Sequence, residues 1–196
     1  MLIDAFAERG PVPPAFVLDV CSGSGIQGIM AARAGHRVVS VDSTREAVQA
    51  TLLNALLNDV EIEALRGDLF DPLGGWRFDA VLANPPYVPT PPGAESATWC
   101  DGGPNGRLVI DRICMESRRV LAAGGALWMV QSSLADIPLT IRTLEIAGYD
   151  AEIVASEEIE LGPVSRSRLD YLVDGGFLAP GADSEQLVVI EARVEG

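Results

Sequence analysis

Asn84-Pro85-Pro86-Tyr87 follows the apolar run Phe78 to Ala83, which reads as a buried strand, so a polar head group stands where a strand stops. Two consecutive prolines offer carbonyl acceptors without N–H donors and hold the chain in an extended turn. Asn84 adds a side-chain carbonyl beside the main-chain carbonyl of Pro85, and Tyr87 supplies a flat ring. Together they could grip both hydrogens of a planar NH2 group and cover one of its faces, which describes an amide or the edge of a nucleobase. Asn-Pro-Pro is also an ordinary turn, so the weight of the motif rests on what precedes it.

Upstream, three carboxylates stand at predicted strand ends. Asp19 closes an apolar run, Ala15 to Val20, that leads into Cys21-Ser22-Gly23-Ser24-Gly25 and then a helix over Ile26 to Ala34. Glycines there allow a ligand to approach the backbone at a helix amino terminus. Asp42 ends a second run, Arg37 to Val41, placed to accept hydrogen bonds from two vicinal ribose hydroxyls, with Ser43 or Thr44 capping a helix to about Leu57 and Glu46 in its first turn. Asp68, in Gly67-Asp68-Leu69-Phe70, follows a short strand near Glu61 to Leu65; it would suit an adenine amino group flanked by Leu69, or simply an Asx turn. Gly23, Gly25 and Gly28 also satisfy the G-x-G-x-x-G pattern of dinucleotide sites. A pyrophosphate beside Asp19 would be repelled, whereas a ligand with a sulfonium and an amino acid moiety would be welcomed, which favours S-adenosylmethionine.

The remaining elements must hold these groups in one place. Leu108 to Leu121 reads as a helix ended by Gly124-Gly125, Ala126 to Val130 as a strand, and Leu134 to Ala147 as a helix closed by Gly148. Tyr149 to Ala155 and Gln186 to Val194 read as strands with no room for a further crossover of the earlier kind, so the last is expected to insert antiparallel. Residues 89–105, rich in proline, glycine and acids with Trp99 as the one large aromatic, read as a lid, with Trp99 either shielding the site or plugging the loop onto the core. Residues 156–185 form an insertion before the last strand; its Arg166 and Arg168 are expected to be solvated or paired with acids rather than to meet a partner.

Composition narrows the field. A chain of 196 residues, 48% hydrophobic, suits one α/β domain over 1–196. No apolar run is long enough to span a bilayer, and Asp4, Glu8 and Arg9 do not fit a signal peptide, so the reading is cytoplasmic. Cys21, Cys100 and Cys114 lack paired spacing and His36 is the single histidine, which argues against a metal site or a His-dependent triad. A net charge of -14 disfavours direct nucleic-acid binding.

The ordered series Asp19-x-Cys21-x-Gly23-x-Gly25, Asp42, Gly67-Asp68-Leu69 and Asn84-Pro85-Pro86-Tyr87 resembles the class I S-adenosylmethionine-dependent methyltransferases that methylate amino groups. Its continuation, Val88-Pro89-Thr90, Trp99, Gly102-Gly103, Gly106-Arg107 and Asp111-Arg112, is similar to the HemK-type glutamine methyltransferases, in the short branch without an amino-terminal helical domain. The resemblance implies an α/β, Rossmann-like, seven-stranded mixed sheet with helices on both faces and the last strand antiparallel. It also implies transfer to the glutamine amide of a Gly-Gly-Gln motif in translation release factors. S-adenosylmethionine contacts would fall to Asp19, Cys21, Gly23, Gly25, Asp42, Ser43, Asp68, Leu69 and Asn84, and the methyl acceptor to Asn84, Pro85 and Tyr87. Cys21 departs from the glycine usual at its position. A small activator subunit accompanies some short-branch members, and a partner of that kind goes with the resemblance. Two alternatives stand beside this reading: an acceptor that is a nucleobase amino group or a small-molecule amine or amide, and a non-catalytic S-adenosylmethionine-binding protein.

Overall fold

The computed structural model describes residues 1–94 and 99–194. Seven strands form one sheet: β1 (Phe16–Val20), β2 (Arg37–Asp42), β3 (Glu63–Arg66), β4 (Phe78–Ala83), β5 (Leu121–Ser132), β6 (Tyr149–Glu160) and β7 (Ser184–Val194), in the order β3-β2-β1-β4-β5-β7-β6. The first five run parallel; β7 lies antiparallel to both β5 and β6, as its late insertion requires. This is the Rossmann-like mixed sheet that the sequence leads one to expect.

Side chains alternate between the two faces with period two. Leu18, Val20, Val81, Leu127, Met129 and Ile190 face one core, and Val17, Ala80, Leu82, Trp128 and Val189 the other. The first core is covered by α4 (Leu108–Glu116) and α5 (Ile137–Ile146) through Ile110, Ile113 and Leu144; the second by α1 (Leu2–Arg9) and α2 (Ile26–Arg33) through Leu2, Phe6 and Ala31. Phe6 meets the fully buried Trp128 edge-on, ring centroids 5.7 Å apart. Helix α3 (Arg45–Leu57) begins at Thr44, whose hydroxyl accepts from the Ala47 N–H at 3.2 Å.

Several boundaries differ from the sequence expectation. The helix after Leu108 stops at Glu116 and continues as a 3-10 turn over Ser117–Val120, and Leu121 already belongs to β5. Gly124-Gly125 therefore does not end a helix; it forms a bulge inside β5, where the register against β4 jumps between Phe78↔Leu121 and Ala80↔Ala126. A side chain at Gly125 would approach the carbonyls of Ala122, Phe78 and Asp79 to 3.0–3.1 Å. A 3-10 turn over Ser133–Ala135 precedes α5, whose cap is the Asp136 carboxylate on the Leu139 N–H. Strand β6 runs on to Glu160, so the insertion shortens to 161–183 and carries α6 (Pro163–Ser167) and α7 (Leu169–Asp174). Among the described residues no helix is long and apolar enough to cross a membrane, and no cluster of His, Cys, Asp and Glu is arranged to hold a metal ion.

Candidate active site

Strand order reverses between β1 and β4: β2 and β3 lie to one side of β1, and β4 crosses to the other. The loops leaving two such neighbours diverge and open a crevice at their carboxyl ends. Here those loops are Cys21 to Gly25 and Asn84 to Tyr87.

The first loop is shaped by three positive φ angles, at Cys21 (+57°), Gly23 (+52°) and Gly25 (+81°). Cysteine thus holds a left-handed conformation that usually falls to glycine. Gly25 forms the amino-terminal cap of α2, and a Cβ there would strike Thr51 Cγ2 at 2.8 Å. Asp19 is fully buried behind the loop; its Oδ2 accepts from the Gly28 N–H at 3.0 Å and from the Ser40 hydroxyl at 3.5 Å. Gly28 is consequently a packing glycine, because a Cβ at that site would stand 2.8 Å from Ser40 Oγ and 3.0 Å from the Asp19 carboxylate. Oδ1 of Asp19 has no partner among the described residues. Burial pushes the Asp19 carboxyl up to about 7, against the pull of those two hydrogen bonds and with a push from Asp42.

Asp42 knits the loop to α3. Its Oδ2 accepts from the Gly23 N–H at 3.0 Å, and its Oδ1 from the Thr44 N–H and hydroxyl at 3.0 and 3.1 Å. Asp42, Ser43, Cys21, Gly23, Asp68, Leu69 and Asn84 line one cavity of about 380 Å³, together with Glu46, Trp99 and Arg112. Most residues expected to touch the cofactor thus converge; Asp19 and Gly25 shape the loop from behind instead of lining the cavity. Burial drives the Cys21 thiol up to about 12, with Asp42, Asp19 and Asp68 adding to the rise, which favours the neutral thiol. Arg112 enters the resemblance only as part of a dipeptide. Among the described residues it is the cation of this cavity, and it is committed: its Nη1 donates to both Asp68 oxygens at 2.9 and 3.0 Å.

A second cavity, about 220 Å³, is lined by Asn84, Pro85, Pro86, Tyr87, Trp99, Ser165 and Glu185 among others. Asn84, Pro86 and Trp99 face both cavities, so the turn after β4 is the partition between them. The partition is braced from outside. Gly106, at φ +76°, passes so close to the Tyr87 carbonyl that a Cβ would stand 2.4 Å away. Burial raises the Tyr87 hydroxyl to about 12, helped by the negative charge of Glu185.

Of the expected lid, residues 95–98 lie outside the described residues. Its two arms pair with each other: Val88 N–H donates to Cys100 O, Gly102 N–H to Val88 O and Thr90 N–H to Gly103 O. Trp99 is 77% exposed and stands over both cavities, so it does not plug the loop onto the core. Arg168, buried, reaches from the insertion into this ladder, donating to Asp101 Oδ1 at 2.6 Å and Thr90 Oγ1 at 2.8 Å, while Arg166 pairs with Glu160. Both arginines are thus paired with acids.

Residues 1–147 match the model of the methyltransferase small domain. The chain belongs to that family. It is a methyltransferase, and similar sequences agree. A Methanocaldococcus jannaschii protein provisionally named a protein N5-glutamine methyltransferase is 37% identical over 144 residues, covering 71% of this chain and 73% of that protein. The ribosomal protein uL3 glutamine methyltransferase of Bradyrhizobium diazoefficiens is 37% identical over 123 residues, 57% of this chain and 39% of that longer protein. Among solved structures, one from the E. cuniculi Mtq2-Trm112 complex, described as responsible for methylation of the eRF1 translation termination factor, superposes over 99% of this chain and 93% of its own with a TM-score of 0.70 at 23% identity. That likeness establishes the fold; within this methyltransferase small domain the two cavities must carry the argument about ligands.

Proposed function

We propose that the chain is an S-adenosylmethionine-dependent N-methyltransferase whose acceptor is a glutamine side-chain amide of a protein, in the Gly-Gly-Gln motif of a release factor. The observation that carries this reading is the pair of cavities meeting at Asn84 and Pro86, one lined by acids and the other by the acceptor turn. The names of the relatives support glutamine as acceptor, and the uL3 enzyme among them makes a ribosomal protein the nearest competing substrate.

The larger cavity suits S-adenosylmethionine. Its walls bring Asp42, Glu46 and Asp68, and its arginine is already neutralised by Asp68, so a cationic ligand is favoured over a pyrophosphate. In this reading Asp42 receives the ribose hydroxyls, Ser43 borders them, Asp68 and Leu69 flank the adenine, and the Cys21 to Gly23 backbone faces the amino acid moiety. When bound, the cofactor supplies an electrophilic methyl group on a positively charged sulfur. An amide nitrogen is a poor nucleophile, so the chain's contribution is placement. Asn84 Oδ1 and the Pro85 carbonyl accept the two N–H groups of the acceptor, pull electron density toward its nitrogen and fix the direction of attack. Tyr87 holds the amide plane, its neutral hydroxyl taking no part in proton transfer. The nitrogen sheds its proton after methylation, when it has become acidic, so no strong base is needed. The lid over residues 89–105, latched by Arg168, would exclude water. A small activator subunit and a cytoplasmic place of action belong to the same reading.

The test is transfer of labelled methyl from S-adenosylmethionine to an intact release factor, to the same factor with its Gly-Gly-Gln glutamine replaced, to ribosomal protein uL3 and to ribosomal RNA. Label on the intact factor alone is expected; label on RNA, or on the glutamine-free factor, would refute the assignment. Asp42→Ala is expected to weaken cofactor binding by about 10- to 100-fold, since hydrogen bonds to a charged acceptor contribute about 1.5–3 kcal/mol. Calorimetric titration showing unchanged affinity would remove Asp42 from the cofactor site.

A further inference from the structure

Resting on that reading, the acceptor cavity has one wall that the mechanism leaves unused. Because β7 is antiparallel to β5, its first residues arrive at the end of the sheet where β1, β4 and β5 terminate. The register pairs Ser132 with Leu187, which carries Glu185 past the end of β5 and onto the wall of the second cavity, near Asn84, Pro85 and Tyr87. The corner is fixed: the Ser132 hydroxyl donates to Glu185 Oε2, and the Gln186 N–H donates to Ser133 Oγ at 3.1 Å. Glu185 is 6% exposed. Burial raises its carboxyl above the usual range, while hydrogen bonds from Ser132 and Ser165 hold it down.

The charged and titratable groups that share this cavity are Tyr87, Cys100 and Glu160; among the described residues no arginine or histidine lines it. A buried carboxylate is costly, and bracing Ser132 and Ser165 would be served as well by a neutral amide, whose oxygen accepts from one hydroxyl and whose NH2 donates to the other. We propose that Glu185 is a specificity-determining residue of the acceptor site: its carboxylate accepts a hydrogen bond from an N–H of the peptide acceptor and repels acceptors that carry phosphate. A peptide entering this cavity brings donors, and a nucleotide brings negative charge, so one buried anion sorts the two.

Rates of methyl transfer to an intact release factor would be measured for the wild type and Glu185→Gln, with cofactor affinity, melting temperature and transfer to ribosomal RNA alongside. In Glu185→Gln the KM for the factor is expected to rise about tenfold or more, with kcat and cofactor affinity little changed, in line with the loss of one charge-assisted hydrogen bond. The wild-type KM should also rise as pH falls through the titration of Glu185, a dependence that needs no substitution to observe and should vanish in the variant. An unchanged KM in Glu185→Gln, a flat wild-type profile, or parallel losses of kcat, cofactor affinity and melting temperature would each overturn the inference while leaving the glutamine reading intact. A wild type that labels RNA, or that fails to label the factor, would instead overturn the acceptor reading and this inference with it.

Discussion

Asn84→Ala lowers kcat by about a hundred- to a thousandfold in single-turnover measurements with saturating cofactor and acceptor, the scale seen when one preorganised hydrogen-bonding group is removed from a site that stabilises a transition state. The cofactor dissociation constant stays within about threefold of the wild type, because in the proposed reading the removed group acts on the acceptor. The expectation follows from position. Asn84 begins the turn that partitions the two cavities, and among the described residues its side-chain amide forms no hydrogen bond within the protein. Its loss therefore breaks nothing internal and is felt only by what binds. Should the substitution instead abolish cofactor binding, the side chain of Asn84 would serve the cofactor in the larger cavity and not the acceptor.

The second large effect concerns stability. Asp19 is fully buried, its Oδ1 is unpartnered among the described residues, and its carboxyl titrates at about 7 in the folded chain against an ordinary value of 3.8. A raised carboxyl pKa means that the folded state keeps a proton which the unfolded chain releases between those two values. Its stabilising contribution is complete below the unfolded value, declines as pH rises toward 7, and then levels off. A shift of that size corresponds to about 4 kcal/mol. Asp19→Asn preserves the shape and an acceptor for the Gly28 N–H but cannot titrate. Urea unfolding of the pair should show the Asp19→Asn variant gaining on the wild type steadily from about pH 4 to about pH 8, the window that spans the two titrations. A difference that does not change with pH would mean that Asp19 remains ionised throughout.

Legibility followed hydrophobic contrast. Strands β1, β2 and β4 announce themselves as apolar runs because both their faces are covered, and α3 by the capping Thr44. Strand β6 lies at the sheet edge with Glu157, Glu158 and Glu160 exposed along its second half, so its length has no apolar signature. Helix α1 escapes a reading of the sequence because its apolar positions, Leu2, Ala5 and Phe6, are too few to give a period. The site divides the same way. Asp42 is the last residue of β2, Asp68 lies two residues after β3 and Asn84 directly follows β4, so all three can be placed from local sequence alone. Arg112 and Glu185 cannot, since the first reaches Asp68 from 44 residues away and the second depends on the register of an antiparallel strand. Cys21 fits a glycine position, as its small size suggests, and the structure adds that it does so in the left-handed conformation.

Among the described residues strand β6 has β7 as its single neighbour in the sheet, while β7 follows it in the chain and pairs on its other side with β5. During synthesis β6 therefore leaves the ribosome with no ladder to join and waits for β7 to dock between it and the parallel half. The cofactor loop, built from β1, β2 and their turns, can be complete well before this happens. Glu185 arrives with β7, so the wall proposed to face the acceptor forms after the parallel half, and a nascent chain can present the larger cavity before the residue proposed to sort acceptors is in place.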